Sequence, residues 1–398
     1  MNRLYVCVFL WMNSLALGQT WIQTSYNVGG PVHALVTDQT NRVCAGSNNG
    51  RIHWTTDQGA NWTMVNFDFG SVNALATSIN TGWVFCGTYA QGVYRTINKT
   101  SWTAPPTLPG RNIRGIAVKS GYVFALVQTS FLDTLYKSQD NGGSWNFVRY
   151  FDNAFTCYVD DGGVLYVGSN EGVWYSPDNG NGWYNAGLTS YRTTAIVVGA
   201  SSHIIAGTEQ HGIHVTTDLG SSWTQALGPV GEITSFVKCS VSEYLAGTLG
   251  NGVFRSTDSG LHWTQWSDGL ADNLVYSMTQ DLNGYVYAGH TNTISKSTEP
   301  CDVEQLSTEI PQTARLFQNY PNPFNPNTSI QFQVHNSGFV ELSVFDILGH
   351  KVATLMNEKL PVGTYAREFD GSGLTSGIYF YRVTMGKFTE TKKMMLVR

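Results

Sequence analysis

Apolar positions in this chain alternate in short runs, and the runs recur about every forty residues. Ala246–Trp263, AGTLGNGVFRSTDSGLHW, is the fullest copy. It consists of a small residue, Gly and Thr, a glycine-containing turn, an alternating strand, and the box S/T-x-D-x-G-x-x-W. Each copy has room for four short strands. In the sixth these are Ile233–Cys239, Glu243–Gly247, Gly252–Ser256 and Trp263–Trp266. No stretch sustains the 3.6-residue period of a helix. The first strand of each copy carries one small residue, in order Ala34, Ala74, Gly115, Cys157, Ala195, Ser235 and Ser277. Strands that crowd around a common axis need small side chains there.

The repeat predicts a closed ring. The opening glycine occurs at Gly46, Gly87, Gly168, Gly207, Gly247 and Gly289, with Leu126 in its place in the third copy, so there are seven openings. The closing box occurs intact at Asp57–Trp62, Asp140–Trp145, Asp178–Trp183, Asp218–Trp223 and Asp258–Trp263, and in a worn form, one residue short, before Trp102. The seventh opening has no box after it. Trp21 lies 41 residues before Trp62, one full period, which makes the N-terminal strand the missing outer strand of the last unit. A β-propeller removes its sheet edges in this way. The expected fold is all-β: a seven-bladed propeller over 19–299, a linker over 300–315, and a small Ig-like antiparallel sandwich over 316–398.

The boxes, with Asp57, Asp140, Asp178, Asp218 and Asp258 and Trp62, Trp145, Trp183, Trp223 and Trp263, resemble those of the BNR or Asp-box repeat propellers (YCF48-, sortilin- and sialidase-like repeats). That family includes hydrolases, lectins, assembly factors and sorting receptors, so the resemblance implies a fold and no single chemistry. We read each box as structural: Asp accepts backbone N–H groups, Gly supplies an unusual dihedral, and Trp packs beneath.

Residues 1–18 read as a secretory signal peptide, with Arg3, an apolar stretch Leu4–Met12 and the small-x-small end Ala16-Leu17-Gly18. The segment 19–299 holds 13 Lys and Arg against 19 Asp and Glu, a net charge of −6, which argues against nucleic acid and anionic membrane surfaces as partners. No later run is long enough to span a bilayer. Five cysteines remain after the leader, an odd number without CxxC spacing. They read as free buried thiols, with one bridge as the alternative, and no metal or cofactor is expected.

The last eighty residues alternate as strands near Ser329–Val334, Val340–Phe345, Thr364–Asp370, Ile378–Val383 and Phe388–Met394. QNYPNPFNPNTSIQF, VFDILGHKVATL, GLTSGIYFYRV and TKKMMLVR resemble the type A sorting domain of the type IX secretion system, His350 standing where Arg is usual. The residues that carry the match include Pro321, Asn322, Pro323, Phe324, Gly349, Gly377, Lys392 and Lys393. The resemblance implies export through the periplasm to the outer-membrane surface or the medium, with the secretion machinery and a sortase as partners.

Ligands of propellers sit on the face opposite the Asp boxes, around the channel mouth. Candidates there are His33, Asn73, Arg114 and Tyr276 on the inner strands, and Tyr89, Glu171, Glu209, His211 and Tyr191 on the loops. A sialidase needs three clustered arginines, and only Arg114 stands on an inner strand. The expected function is non-catalytic binding of a glycan or protein ligand by a secreted or surface-displayed monomer. The alternatives are a glycoside hydrolase for extracellular polysaccharide and a structural surface protein.

Overall fold

The computed structural model describes residues 20–397 except 67–69, 79, 105–107, 109–110, 120, 131, 161, 200–201, 241, 302, 308–312, 337 and 361–362. The expected signal peptide lies outside the described residues. Seven antiparallel sheets form around inner strands Val32–Thr37, Val72–Thr77, Asn112–Lys119, Thr156–Val159, Thr193–Val198, Ile233–Lys238 and Ser277–Gln280, which define blades 1 to 7. Each inner strand lies against the next, and the last lies against the first. Six sheets have four strands; blade 2 has three among the described residues.

Blade 7 takes its outer strand from the N-terminus. Trp21–Gln23 pairs antiparallel with Ile294–Ser297, Trp21 opposite Ser297. The Trp21 ring is fully buried among Val237, Leu245, Val275 and Val286, and its Nε1 donates to the Trp266 carbonyl at 2.7 Å. A disulfide, Cys239–Cys301, ties the chain leaving blade 7 back to blade 6. This corrects the expectation that all cysteines are free; Cys44, Cys86 and Cys157 remain thiols. The bridge was not legible because its two cysteines are 62 residues apart and meet only when two blades stack.

The repeat-opening glycine marks where blades meet. A Cβ at Gly46, Gly87 or Gly207 would come within 2.2 to 2.5 Å of Val72, Ile113 or Ile233 on the following blade. At these junctions a β-branched side chain of one blade therefore packs on bare backbone of the blade before. The Asp boxes share one geometry. In the fourth, Thr216 Oγ1 donates to Asp218 Oδ1 at 2.6 Å and accepts the Gly220 N–H at 3.0 Å, while Asp218 accepts the Ser222 N–H at 2.9 Å. Leu219 and Gly220 both adopt positive φ, 56° and 90°. The worn box in blade 2 keeps one left-handed residue, Lys99, whose ammonium donates to the carbonyls of Gly82 and Ile97.

Beyond the ring lie two four-stranded sheets that share one core. One runs Val303–Ser307, Gly363–Asp370, Asn327–Val334, Arg315–Leu316; the other runs Lys351–Leu360, Gly338–Phe345, Gly377–Met385, Phe388–Leu396. The structure adds Lys351–Leu360 to the expected strands. The stretch expected as a linker pairs into the first sheet through Val303–Ser307, opposite Arg367 to Thr364.

Candidate ligand face at the channel mouth

The inner strands are regular but for a bulge that recurs at one position. Register shifts bracket His33, Asn73, Arg114, Thr194 and Thr234 in blades 1, 2, 3, 5 and 6. A bulge leaves its extra residue outside the ladder and aims it anew. Several bulge side chains bond to the next blade at the residue just before its own bulge position. Asn73 Nδ2 donates to the Ile113 carbonyl at 3.2 Å, Thr194 Oγ1 to Ile233 at 2.7 Å, and Thr234 Oγ1 to Val275 at 2.7 Å. In blade 7 the next residue, Ser277, takes over and donates to Val32 at 2.8 Å. Asn73, Thr194 and Thr234 are thus stitches between blades, and for Asn73 the sequence did not separate that role from ligand binding.

His33 and Tyr276 are different. Their rings meet edge to face at 5.1 Å across the seam between blades 7 and 1. Both line the axial cavity of about 250 Å³, together with Asn73, Thr156 and Thr234. Burial lowers the His33 pKa, so the ring is neutral near pH 7.

The repeat breaks between blades 3 and 4, and the break builds the most chemically varied part of this face. Leu126 occupies the glycine position and packs into the interface with Ala154 and Val167. The blade 4 residue that would cover a glycine is Phe155, which lies half-buried between two guanidinium groups. Arg192 stands 3.7 Å from its ring centroid and Arg114 4.8 Å. Each arginine faces a carboxylate, Arg192 to Glu209 at 2.6 Å and Arg114 to Asp133 at 3.4 Å. Beside them Tyr191 packs on His211 at 4.7 Å and on buried His214 at 4.9 Å. Burial, and then the nearby Glu209 carboxylate, raise the pKa of Glu232, with Arg192 opposing.

The structure thus brings Tyr191, Glu209 and His211 into one cluster and sets Arg114 at its edge. Glu171 and Tyr89 stand apart, both exposed, on blades 4 and 2. Phe155, His214 and Glu232 were missed as site residues. The signal that could have found Phe155 is Leu126, the one opening without glycine. Among the described residues no group of three His, Cys, Asp or Glu is placed to hold a metal ion, and no helix is long and apolar enough to cross a membrane.

The second domain carries its motif residues in two settings. Phe324 is buried against Phe369 in the shared core. The Tyr381 hydroxyl accepts the Asn319 N–H and donates to the Phe317 carbonyl, both at 2.8 Å. Asn322 Oδ1 accepts the Met395 N–H at 2.9 Å, Gly349 turns the chain at φ 83°, and Gly377 pairs with Leu396. Pro321 and Pro323 follow cis peptide bonds, Lys392 pairs with Glu390 at 3.3 Å, and the Lys393 carbonyl accepts from Gln318. Residues 318–397 match the family model of the secretion system C-terminal sorting domain. The C-terminal segment is a type IX sorting domain. By that sorting domain the chain is exported by the type IX system to the cell surface or the extracellular space.

No curated protein matches the chain. Among solved structures it is similar to the extracellular domain of the two-component-system protein BT4673 from B. thetaiotaomicron, at 15% identity and TM-score 0.58 over 80% of this chain. PorZ, a surface component of the type IX secretion system of Porphyromonas gingivalis, matches over 90% at 15% identity and TM-score 0.52. The chain spans only 45% and 58% of those two proteins' lengths. YCF48 from Cyanidioschyzon merolae, 16% identical with TM-score 0.56, aligns over 70% of this chain and 98% of its own. At such identities the likeness shows the propeller fold alone.

Proposed function

We propose that the exported propeller, residues 19–299, is a non-catalytic binding module addressed by its sorting domain, and that a glycan or protein segment seats on the channel mouth beside Tyr191, Phe155 and Arg192. The observation that carries this reading is the pairing of the central carboxylates. Asp133 faces Arg114 at 3.4 Å and Glu209 faces Arg192 at 2.6 Å, while Tyr191 and Phe155 offer ring faces and the guanidiniums offer further donors. Aromatic planes with adaptable polar groups suit shallow recognition. YCF48 has been solved with a D1 peptide, which makes a peptide a reasonable first probe.

One observation favours a hydrolase instead. Burial and the Glu209 carboxylate raise the pKa of Glu232, the direction a general acid of a glycosidase requires. The two readings separate in one experiment. The purified chain is screened on glycan and peptide arrays, the hits are titrated by calorimetry, and polysaccharide hits are assayed for reducing ends. Binding lost in Tyr191→Ala with Arg192→Ala, without bond cleavage, supports the module. Reducing ends that vanish in Glu232→Gln make it a glycosidase. Silence on both arrays leaves a structural surface protein.

A further inference from the structure

The sorting domain turns at Asp346-Ile347-Leu348-Gly349-His350, between Gly338–Phe345 and Lys351–Leu360. Asp346 Oδ1 accepts the N–H groups of Leu348 at 2.8 Å and His350 at 2.9 Å, and Gly349 supplies the left-handed residue. Those two residues make the turn. Ile347 and Leu348 are 70% and 76% exposed. Polar residues would fill these positions in an ordinary turn, so two large aliphatic side chains there need a reason outside the fold.

Strand register shows what stands beside them. Phe345 pairs with Phe380, so the tip extends past the end of the sheet where Gly377 meets Leu396. Ile378 and Met395, partners across that strand pair, are exposed at the same end, and Val397 follows. The loop before Asn327 is fastened there too. Phe324 donates its N–H to the Met395 carbonyl at 2.9 Å and accepts that of Val397 at 3.0 Å, and Tyr320 in this loop is 82% exposed. One end of the domain therefore gathers apolar side chains that its core does not use.

We infer that the Ile347–Leu348 hairpin tip, with the apolar rim around it, docks in an apolar groove of the type IX export machinery. This rests on the sorting-domain assignment, since a domain that addresses its cargo must be held by a partner protein. The partner's chemistry follows from the tip: an aliphatic-lined groove that reads apolar area, because Asp346 is already engaged in the turn.

The test uses the full chain in a host with a type IX system, with medium, surface and periplasm quantified. Ile347→Ser with Leu348→Ser should lower the exported fraction roughly tenfold, as loss of a small interface anchor does. The protein should then collect in the periplasm with its melting temperature unchanged. The aliphatic swap Ile347→Leu with Leu348→Ile should export normally. So should Phe339→Ser, which removes a side chain 69% exposed at the opposite end of the sheet. Normal export of the double serine variant overturns the proposal, and so does equal impairment by Phe339→Ser. Should the pair lower the melting temperature, Leu348→Ser alone decides by the same readout. Deleting Lys392–Arg398 separates the two layers. If that deletion blocks export and the tip variant does not, the docking proposal alone fails; if neither blocks it, the sorting role fails as well.

Discussion

Two neighbouring residues in one Asp box show how narrowly the turn is specified. Leu219 holds φ 56° and Gly220 holds φ 90°, and a Cβ on Gly220 would lie 1.8 Å from the Ala186 carbonyl oxygen. Substitutions at the two positions should have opposite signs. Leu219→Asn should stabilise by about 1 kcal/mol, because Asn tolerates the left-handed region far better than Leu. Gly220→Ala should cost about 3–5 kcal/mol, through strain and collision together. Urea denaturation of both variants reads the two signs. His53 supplies a pH dependence. Burial first, then Arg51, lower its pKa from 6.5 to about 4, and the ring is buried beside the Tyr26 hydroxyl at 3.1 Å. A depressed histidine favours its neutral form in the fold. Its stability is fully present above pH 6.5 and is lost as pH falls from there through about 4. Burial lowers His33, His203, His214 and His290 in the same direction. Urea midpoints should therefore fall between about pH 7 and about pH 5, and His53→Gln should flatten the profile.

Strands were largely legible because the repeat wrote them seven times over. The sixth unit was expected at Ile233–Cys239, Glu243–Gly247 and Gly252–Ser256 and is found at Ile233–Lys238, Tyr244–Thr248 and Gly252–Ser256. The inner-strand ring was legible as a set of positions but not as roles. Which bulge residue stitches blades and which faces the cavity depends on where its side chain turns, and alternation does not encode that. The Trp residues also differ in ways their spacing hides. Trp21 is fully buried, whereas Trp223 is half-exposed. Trp21→Ala should cost about 3–5 kcal/mol, and Trp223→Ala distinctly less, by calorimetric melting. The irregular junction offers a cleaner test of the ligand face. Leu126→Gly with Phe155→Val writes the common rule back into blades 3 and 4. The pair should keep the melting temperature while abolishing array binding, since it removes the ring between Arg114 and Arg192.

The ring is closed by the Trp21 strand, and Cys239–Cys301 pins the chain leaving blade 7 to blade 6. The covalent tie spans 62 residues, and the chain-entropy estimate for such a loop is about 4 kcal/mol. Cys239→Ala with Cys301→Ala should lower the melting temperature, and adding a reductant to that variant should change nothing further. The sorting domain was legible from its motifs, which recur at fixed spacing along one continuous stretch. Its partner-facing end was not, because Asp346–Gly349 reads only as a turn between strands, and the exposure of Ile347 and Leu348 beside Ile378 and Met395 is a property of the folded hairpin. The clasp has a kinetic consequence as well. Thr298 bonds to Thr20 across 278 residues of chain, so the last sheet cannot be completed until nearly all of the propeller has been made and delivered. Loop closure over that span is slow to be rewarded and contacts of such long range retard folding. Until then Trp21–Gln23 has no strand to pair with, and once Ile294–Ser297 is made its outer edge stays open until that first strand finds it, an interval in which another chain could take its place.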